Sequence, residues 1–269
     1  MLTAHQKSTF ERNGFLLLKN FLSAEETNDL RATSLSLFDK PALLQDSDQL
    51  RVNLFRRHEE MNGLRSDPRV DALLKSLLGD DYRYAETEAS VARRFYTDWH
   101  RDTDGPELGG EAWPWEPDVR LVQLMWYLQP QTEEYGGGLQ IVPGSHLKRG
   151  WKKSDYEGSK IKRGFMRKVA QWADGAADNG PIAGVPYTIP TEPGDLLVFY
   201  IRCLHRATTP KEVPIEDIPE EHEKILISYA VSPNNRQYAN YVDYLSRCSN
   251  KQYEAAAPAE SSAEATIKS

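Results

Sequence analysis

The chain has 269 residues, 39% hydrophobic and 27% charged, a globular composition with length for one large domain or two small ones. Its formal charge of -7 and pI near 5.5 argue against a nucleic-acid or anionic-membrane partner held by general electrostatics. The only cysteines, Cys203 and Cys248, are far apart and lack Cys-x-x-Cys spacing, which excludes a disulfide framework or a structural zinc ribbon. Residues 1–12 are polar, and no stretch approaches the roughly 20 apolar residues that span a bilayer. A reducing, cytoplasmic setting is the expectation.

The first element is a helix over residues 3–13, stopped by Asn13-Gly14. A short apolar strand, Phe15-Leu16-Leu17-Leu18, follows. Ser23 with Glu26 forms a capping box that starts a helix reaching residue 38. Residues 41–57 show no clear period, and His58-Glu59-Glu60, among Arg56, Arg57 and Asn62-Gly63, reads as an exposed turn or helix end. Asp67-Pro68 opens a helix over 69–78 with Val70, Leu73, Leu74 and Leu77 on one face and Gly79 as its stop.

After Gly79 the texture changes to strands bounded by Gly, Pro and Asp: residues 82–88, 89–99, 119–128, 138–142, 187–189, 195–204 and 224–231. Short strands without intervening helices predict an antiparallel sandwich on which the helical residues 1–79 pack. Residues 151–186 interrupt the pattern. They carry Lys152, Lys153, Lys160, Lys162, Arg163, Arg167 and Lys168, and read as a long insertion with one helix over 164–172. That basic cluster reads more readily as a solvated helix face than as an anion site. The tail, rich in Ala, Ser, Pro and Glu, is expected to be disordered over 251–269.

The chemistry centres on Trp99-His100-Arg101-Asp102. An imidazole and a carboxylate two positions apart at a strand end offer two donors from one side of a cavity, leaving other metal positions open. A His-x-acid pair arises by chance about once in a chain of this composition, so a surface His beside a turn Asp is the plain alternative. If the strand is regular, Arg94, Tyr96, Asp98 and His100 share one face. A third donor is His205, at the end of a run in which Leu197, Phe199, Ile201 and Cys203 share its face. A hydrogen-bonded core histidine is the alternative there.

These stretches, with Phe10-Glu11-Arg12-Asn13-Gly14-Phe15, Gly137-Gly138-Leu139-Gln140-Ile141-Val142-Pro143-Gly144-Ser145-His146 and Pro193-Gly194-Asp195, resemble the phytanoyl-CoA dioxygenase-like family of Fe(II)/2-oxoglutarate-dependent oxygenases across roughly residues 3–231. The resemblance implies a mainly β architecture with flanking helices around a double-stranded β-helix, a cupin-like jelly roll. It makes residues 1–250 one oxygenase domain, helical over 1–79 and with a jelly-roll core over 80–250. It also implies Fe(II) held by His100, Asp102 and His205, with 2-oxoglutarate and O₂ as cosubstrates. Halogenating relatives lack the carboxylate, so Asp102 implies hydroxylation or a related oxidation, with hydroxylation of a small-molecule substrate as the expectation. His146 belongs to a turn that is structural in the family.

One position departs from the family. An Arg on the strand after the distal His holds the remote carboxylate of 2-oxoglutarate there, whereas this chain has Lys224 behind an acidic run, 212–223. Lys binds a carboxylate as a point charge, without the bidentate fork of Arg. Arg94 is a candidate helper, and Gln123 a candidate hydrogen-bond partner of 2-oxoglutarate or a satisfied core amide. Arg202 and Arg206, opposite His205 on a regular strand, are poorer anchors. Tyr96 and Trp113 are candidate substrate contacts, with Trp113-Pro114-Trp115 and the insertion as a lid. A cupin-like isomerase or hydrolase using another metal, and a silent binding protein, remain open as other classes.

Overall fold

The computed structural model describes residues 2–43, 46–103, 119–147 and 181–247. The expectations for Trp113 to Trp115, for most of the 151–186 insertion with its basic cluster and helix, and for the tail therefore lie outside the described residues.

Local sequence signals account for the N-terminal helices. Helix α1 (Ala4–Asn13) begins at a Thr3/Gln6 capping box and ends at Gly14, whose φ of 84° no residue with a Cβ adopts comfortably. Strand β1 (Phe15–Leu18) follows, and helix α2 (Ala24–Asp39) carries the expected Ser23/Glu26 box. Residues without a clear period contain β2 (Leu50–Val52) and the short helix α3 (Leu54–Arg57). His58, expected on an exposed turn, is instead 5% exposed, and burial lowers its pKa. Helices α4 (Asn62–Ser66) and α5 (Pro68–Leu78) follow, with Asp67 capping α5 and Pro68 opening it.

The remaining strands are β3 (Tyr82–Arg93), β4 (Val122–Tyr127), β5 (Leu139–Ile141), β6 (Tyr187–Thr188), β7 (Leu196–Tyr200), β8 (His205–Ala207) and β9 (Ile225–Pro233), and helix α6 (Arg236–Arg247) comes last. One antiparallel sheet has the order β1-β7-β4-β9-β3-β2, and a smaller one the order β6-β5-β8. The two expected strands 82–88 and 89–99 are one strand ending at Arg93. Within it Ala85 pairs Ala230 while Ser90 pairs Ser228, so four residues of β3 bulge opposite Tyr229 alone. The expected run to residue 204 likewise breaks after Tyr200. A turn at Ile201-Arg202-Cys203 separates β7 from β8, so His205 reaches its place on the small sheet.

Both faces of the large sheet are covered, which is why β4 is buried at every position. Val122, Leu124 and Trp126 face α2 and α5, sharing one cluster with Leu37, Val70, Leu73 and Leu74. Trp126 meets Phe21 edge-on at 5.3 Å, and Tyr229 meets Phe55 at 5.1 Å. Gln123, Met125 and Tyr127 point the other way, into the space between the sheets. Helix α6, which the sequence reading misses although Asn235 caps it by accepting from the Gln237 and Tyr238 N–H groups, seats Tyr241, Tyr244 and Leu245 on Val119, Leu121 and Ile201.

Gly14 shows how tightly the N-terminal turn is built. A Cβ there would run into the His146 ring and Cys203 Sγ. Gly14→Ala combines overpacking with a left-handed backbone and is expected to cost about 3 kcal/mol. Thermal denaturation checks this: Tm should fall by about 5–10 °C.

Candidate metal centre and active site

The two candidate histidines are brought together by the backbone. His100 N–H donates to His205 O at 2.9 Å, and His205 N–H donates to His100 O at 3.0 Å. Residues paired in this way across antiparallel strands project their side chains on the same side. The imidazole centroids lie 4.3 Å apart. Asp102 is fixed two residues on by its N–H to Ile201 O, 3.2 Å. Its Oδ1 lies 3.5 Å from His100 Nε2 and 3.7 Å from His205 Nε2. One donor atom from each residue falls within 4.8 Å of the others, and no other three-residue group of potential ligands does so among the described residues.

Protonation fits a cation. His100 Nδ1 is 2.7 Å from Asp98 O and His205 Nδ1 is 3.0 Å from Cys203 O. A carbonyl can only accept, so each Nδ1 carries a hydrogen and each Nε2 is turned towards Asp102. Burial and the neighbouring His100 hold His205 neutral, its pKa pushed down to about 4. Burial works to raise the Asp102 pKa, and attraction to a protonated His205 or His100 lowers it, with a net lowering. Asp102 Oδ2 is buried without a hydrogen-bond partner among the described residues. Two imidazole Nε2 atoms and a carboxylate with one oxygen unsatisfied among the described residues form the donor set that a divalent first-row metal takes up.

The triad opens on a cavity of about 580 Å³ between the sheets. Leu50, Val52, Ala92, Phe95, Met125 and Leu226 supply apolar walls. Lys224 lines it, 3% exposed, its Nζ donating to Phe95 O at 2.6 Å and lying 5.0 Å from the Tyr96 ring centroid. Burial pushes the Lys224 pKa down to about 7. Gln123 is 6% exposed, and its Oε1 has no hydrogen-bond partner among the described residues. Both side chains line the cavity with His100, Asp102 and His205.

Other expected residues fall elsewhere. Arg94 is left-handed, φ 52°, and its Nε lies 2.6 Å from Glu223 Oε1, away from the cavity lining. Strand β3 has ended before it, so the alternation expected for Arg94, Tyr96, Asp98 and His100 does not apply. Tyr96 packs beside Lys224 rather than lining the cavity. Arg202 donates to Val119 O, and Arg206 donates to Gln140 Oε1 and lies over the Trp99 ring. His146 is buried, with Nε2 3.0 Å from Glu11 O and its ring stacked on Tyr200.

Sequence reasoning misses Tyr127, whose hydroxyl finds Met125 Sδ at 3.7 Å, and the Ser90 and Ser228 hydroxyls, 3.3 Å apart. All line the cavity. The period-2 alternation that singles out Gln123 also reaches Tyr127. Thr87 and Glu88 enter the lining through the β3 bulge, which has no clear sequence signature.

Ectoine dioxygenase of Sphingopyxis alaskensis is 27% identical over 164 residues, 54% of this chain and 50% of the relative. Ectoine dioxygenase of Nocardia farcinica is 30% identical over 163 residues, 53% and 51%. The chain thus spans about half the length of these relatives. Among solved structures, EctD from S. alaskensis with 2-oxoglutarate and 5-hydroxyectoine superposes with a TM-score of 0.60 at 17% identity, covering 86% of this chain and 76% of that one. HygX from Streptomyces hygroscopicus with nickel and 2-oxoglutarate gives 0.59 at 17%, covering 87% and 88%. These likenesses agree with the jelly-roll core expected from the sequence. The phytanoyl-CoA dioxygenase (PhyH) family model matches residues 10–211, three quarters of the chain, and the protein belongs to that family.

Proposed function

We propose that the protein is an Fe(II)- and 2-oxoglutarate-dependent oxygenase that hydroxylates a small molecule. The convergence of His100 Nε2, Asp102 Oδ1 and His205 Nε2 at one end of a cavity carries this reading. The cavity's volume falls in the range of small-molecule sites. The balance is one substrate C–H, one 2-oxoglutarate and one O₂ consumed for one C–OH, one succinate and one CO₂.

When bound, Fe(II) with 2-oxoglutarate and O₂ supplies the oxidising power that breaks the substrate C–H bond. The chain supplies ligation, orientation and dryness. His100, Asp102 and His205 would hold the metal from one side, and the carbonyls of Asp98 and Cys203 keep each imidazole turned towards it. Lys224, as ammonium, would receive the remote carboxylate of 2-oxoglutarate, and the Gln123 amide offers a hydrogen bond between that end and the triad. The apolar walls exclude water, which strengthens each of these contacts.

Admitting air to protein loaded anaerobically with Fe(II) and 2-oxoglutarate tests the reading. Before air, a weak visible charge-transfer band is expected. Afterwards succinate should form, slowly even without the primary substrate. Iron binding without band or succinate would instead favour a metal-binding jelly roll that does not use 2-oxoglutarate.

A further inference from the structure

Beyond the cavity, the structure holds a buried charge cluster directly behind Lys224. Glu223, 1% exposed, accepts from Arg93 Nε at 2.6 Å and Arg93 Nη2 at 3.2 Å, and lies 2.6 Å from Arg94 Nε. Arg31 reaches in from α2, donating to the carbonyls of Leu128, Glu220 and Glu223. The backbone closes the same knot. Arg94 N–H donates to Lys224 O at 3.0 Å, and Gln49 Nε2 donates to Arg94 O at 3.1 Å. Arg94 sits at φ 52°, a conformation costing a non-glycine residue about 1–2 kcal/mol that persists only where surrounding contacts over-determine it.

We infer that Glu223 is a positioning residue for Lys224. Clamped by Arg93 and Arg94, it fixes the start of β9 so that the next side chain enters the cavity at a set depth. The inference rests on Lys224 as the anchor of the 2-oxoglutarate carboxylate. An ammonium lacks the fork by which a guanidinium aligns itself on a carboxylate, so its placement must come from the backbone that carries it. Two β3-end guanidiniums on a single buried carboxylate, with a third tying the preceding carbonyls, are that constraint. The acidic run before β9 therefore has a structural end: its exposed members form the turns Ile215–Asp217 and Glu220–His222, and its last carboxylate is the keystone.

The test is anaerobic calorimetry of 2-oxoglutarate binding to the Fe(II)-loaded protein, with Fe(II) affinity and Tm as controls for folding. Glu223→Gln keeps the shape and removes the charge. Arg93 and Arg94, about a third exposed, turn to solvent and the strand start loosens. The Kd for 2-oxoglutarate should rise at least about tenfold, the scale of breaking a buried ion pair, with Fe(II) affinity retained. Glu223→Asp should recover part of the loss. Arg94→Gly removes one guanidinium while suiting the left-handed backbone. It should weaken 2-oxoglutarate binding by a few-fold without lowering Tm.

In a Lys224→Met background, Glu223→Gln should add nothing, since it acts through the lysine. A Glu223→Gln Kd within twofold of wild type, or a loss that adds fully to that of Lys224→Met, overturns the inference while leaving Lys224 as the anchor. An unchanged Kd in Lys224→Met itself would remove that reading of Lys224, and this inference with it.

Discussion

Replacing His205 by alanine is expected to abolish turnover and lower Fe(II) affinity by at least about 100-fold. The imidazole offers one of the three donors that converge among the described residues, and loss of even an outer partner of a metal ligand costs 10–100-fold. The effect should exceed that of any wall residue, because a wall residue offers the metal no donor, while alanine keeps the backbone that places the other two. His100 shares both backbone hydrogen bonds of the bridge with His205, and the Asp102 Oδ1 is 3.7 Å from His205 Nε2. Fold should survive: removing a neutral imidazole whose ring packs on Phe199 at 4.8 Å leaves a small void, worth about 1–3 kcal/mol. Iron titration with circular dichroism on the same sample checks both halves. Full iron affinity in the alanine variant would remove His205 from the ligand set.

The second large effect is expected at Lys224. Truncating one partner of a buried, hydrogen-bonded charge pair costs about 2–5 kcal/mol, so Lys224→Met should raise the Kd for 2-oxoglutarate by about 100-fold or more. The ammonium also predicts a pH dependence. Its pKa in the free protein lies at about 7, because burial disfavours the charged form, well below the ordinary lysine value. Anion binding requires that charge. Affinity should therefore be fully present below pH 7 and fall as pH rises through 7, approaching tenfold per unit. Lys224→Arg, which stays protonated throughout, should flatten the profile whatever its absolute affinity. Calorimetry between pH 6 and 9 distinguishes the cases, and a flat wild-type profile would count against the lysine.

Much of this was legible before the fold. The Ser23 and Asp67 caps stated where α2 and α5 begin, because a cap's chemistry is local. Side-chain chemistry made His100, Asp102 and His205 candidates, with a surface pair and a core histidine as alternatives, the resemblance to the family joined them into one set, and the alternation in β4 placed Gln123 on the inner face. Tertiary context decided what remained. The bulge between Ala85 and Ser90 makes one strand of what reads as two, since Glu86-Thr87-Glu88 looks like a polar strand end. The left-handed turn at Arg94 sends its guanidinium to Glu223 instead of the cavity. Glu223 ends an acidic run in which nothing in the sequence marks it off from its neighbours, and only the fold buries it against Arg93 and Arg94. Helix α6 escapes because tyrosines, which favour strands in isolation, carry its buried face.

His100 and Asp102, two residues apart, and His205, on β8, would share one metal ion. Anomalous diffraction at the iron edge, from crystals grown anaerobically with Fe(II) and 2-oxoglutarate, tests it most directly. One iron peak in bonding contact with His100 Nε2, Asp102 and His205 Nε2, with the remote carboxylate of 2-oxoglutarate at Lys224 Nζ, is the expected result. An iron peak elsewhere, or none at this site at saturating Fe(II), would contradict the account.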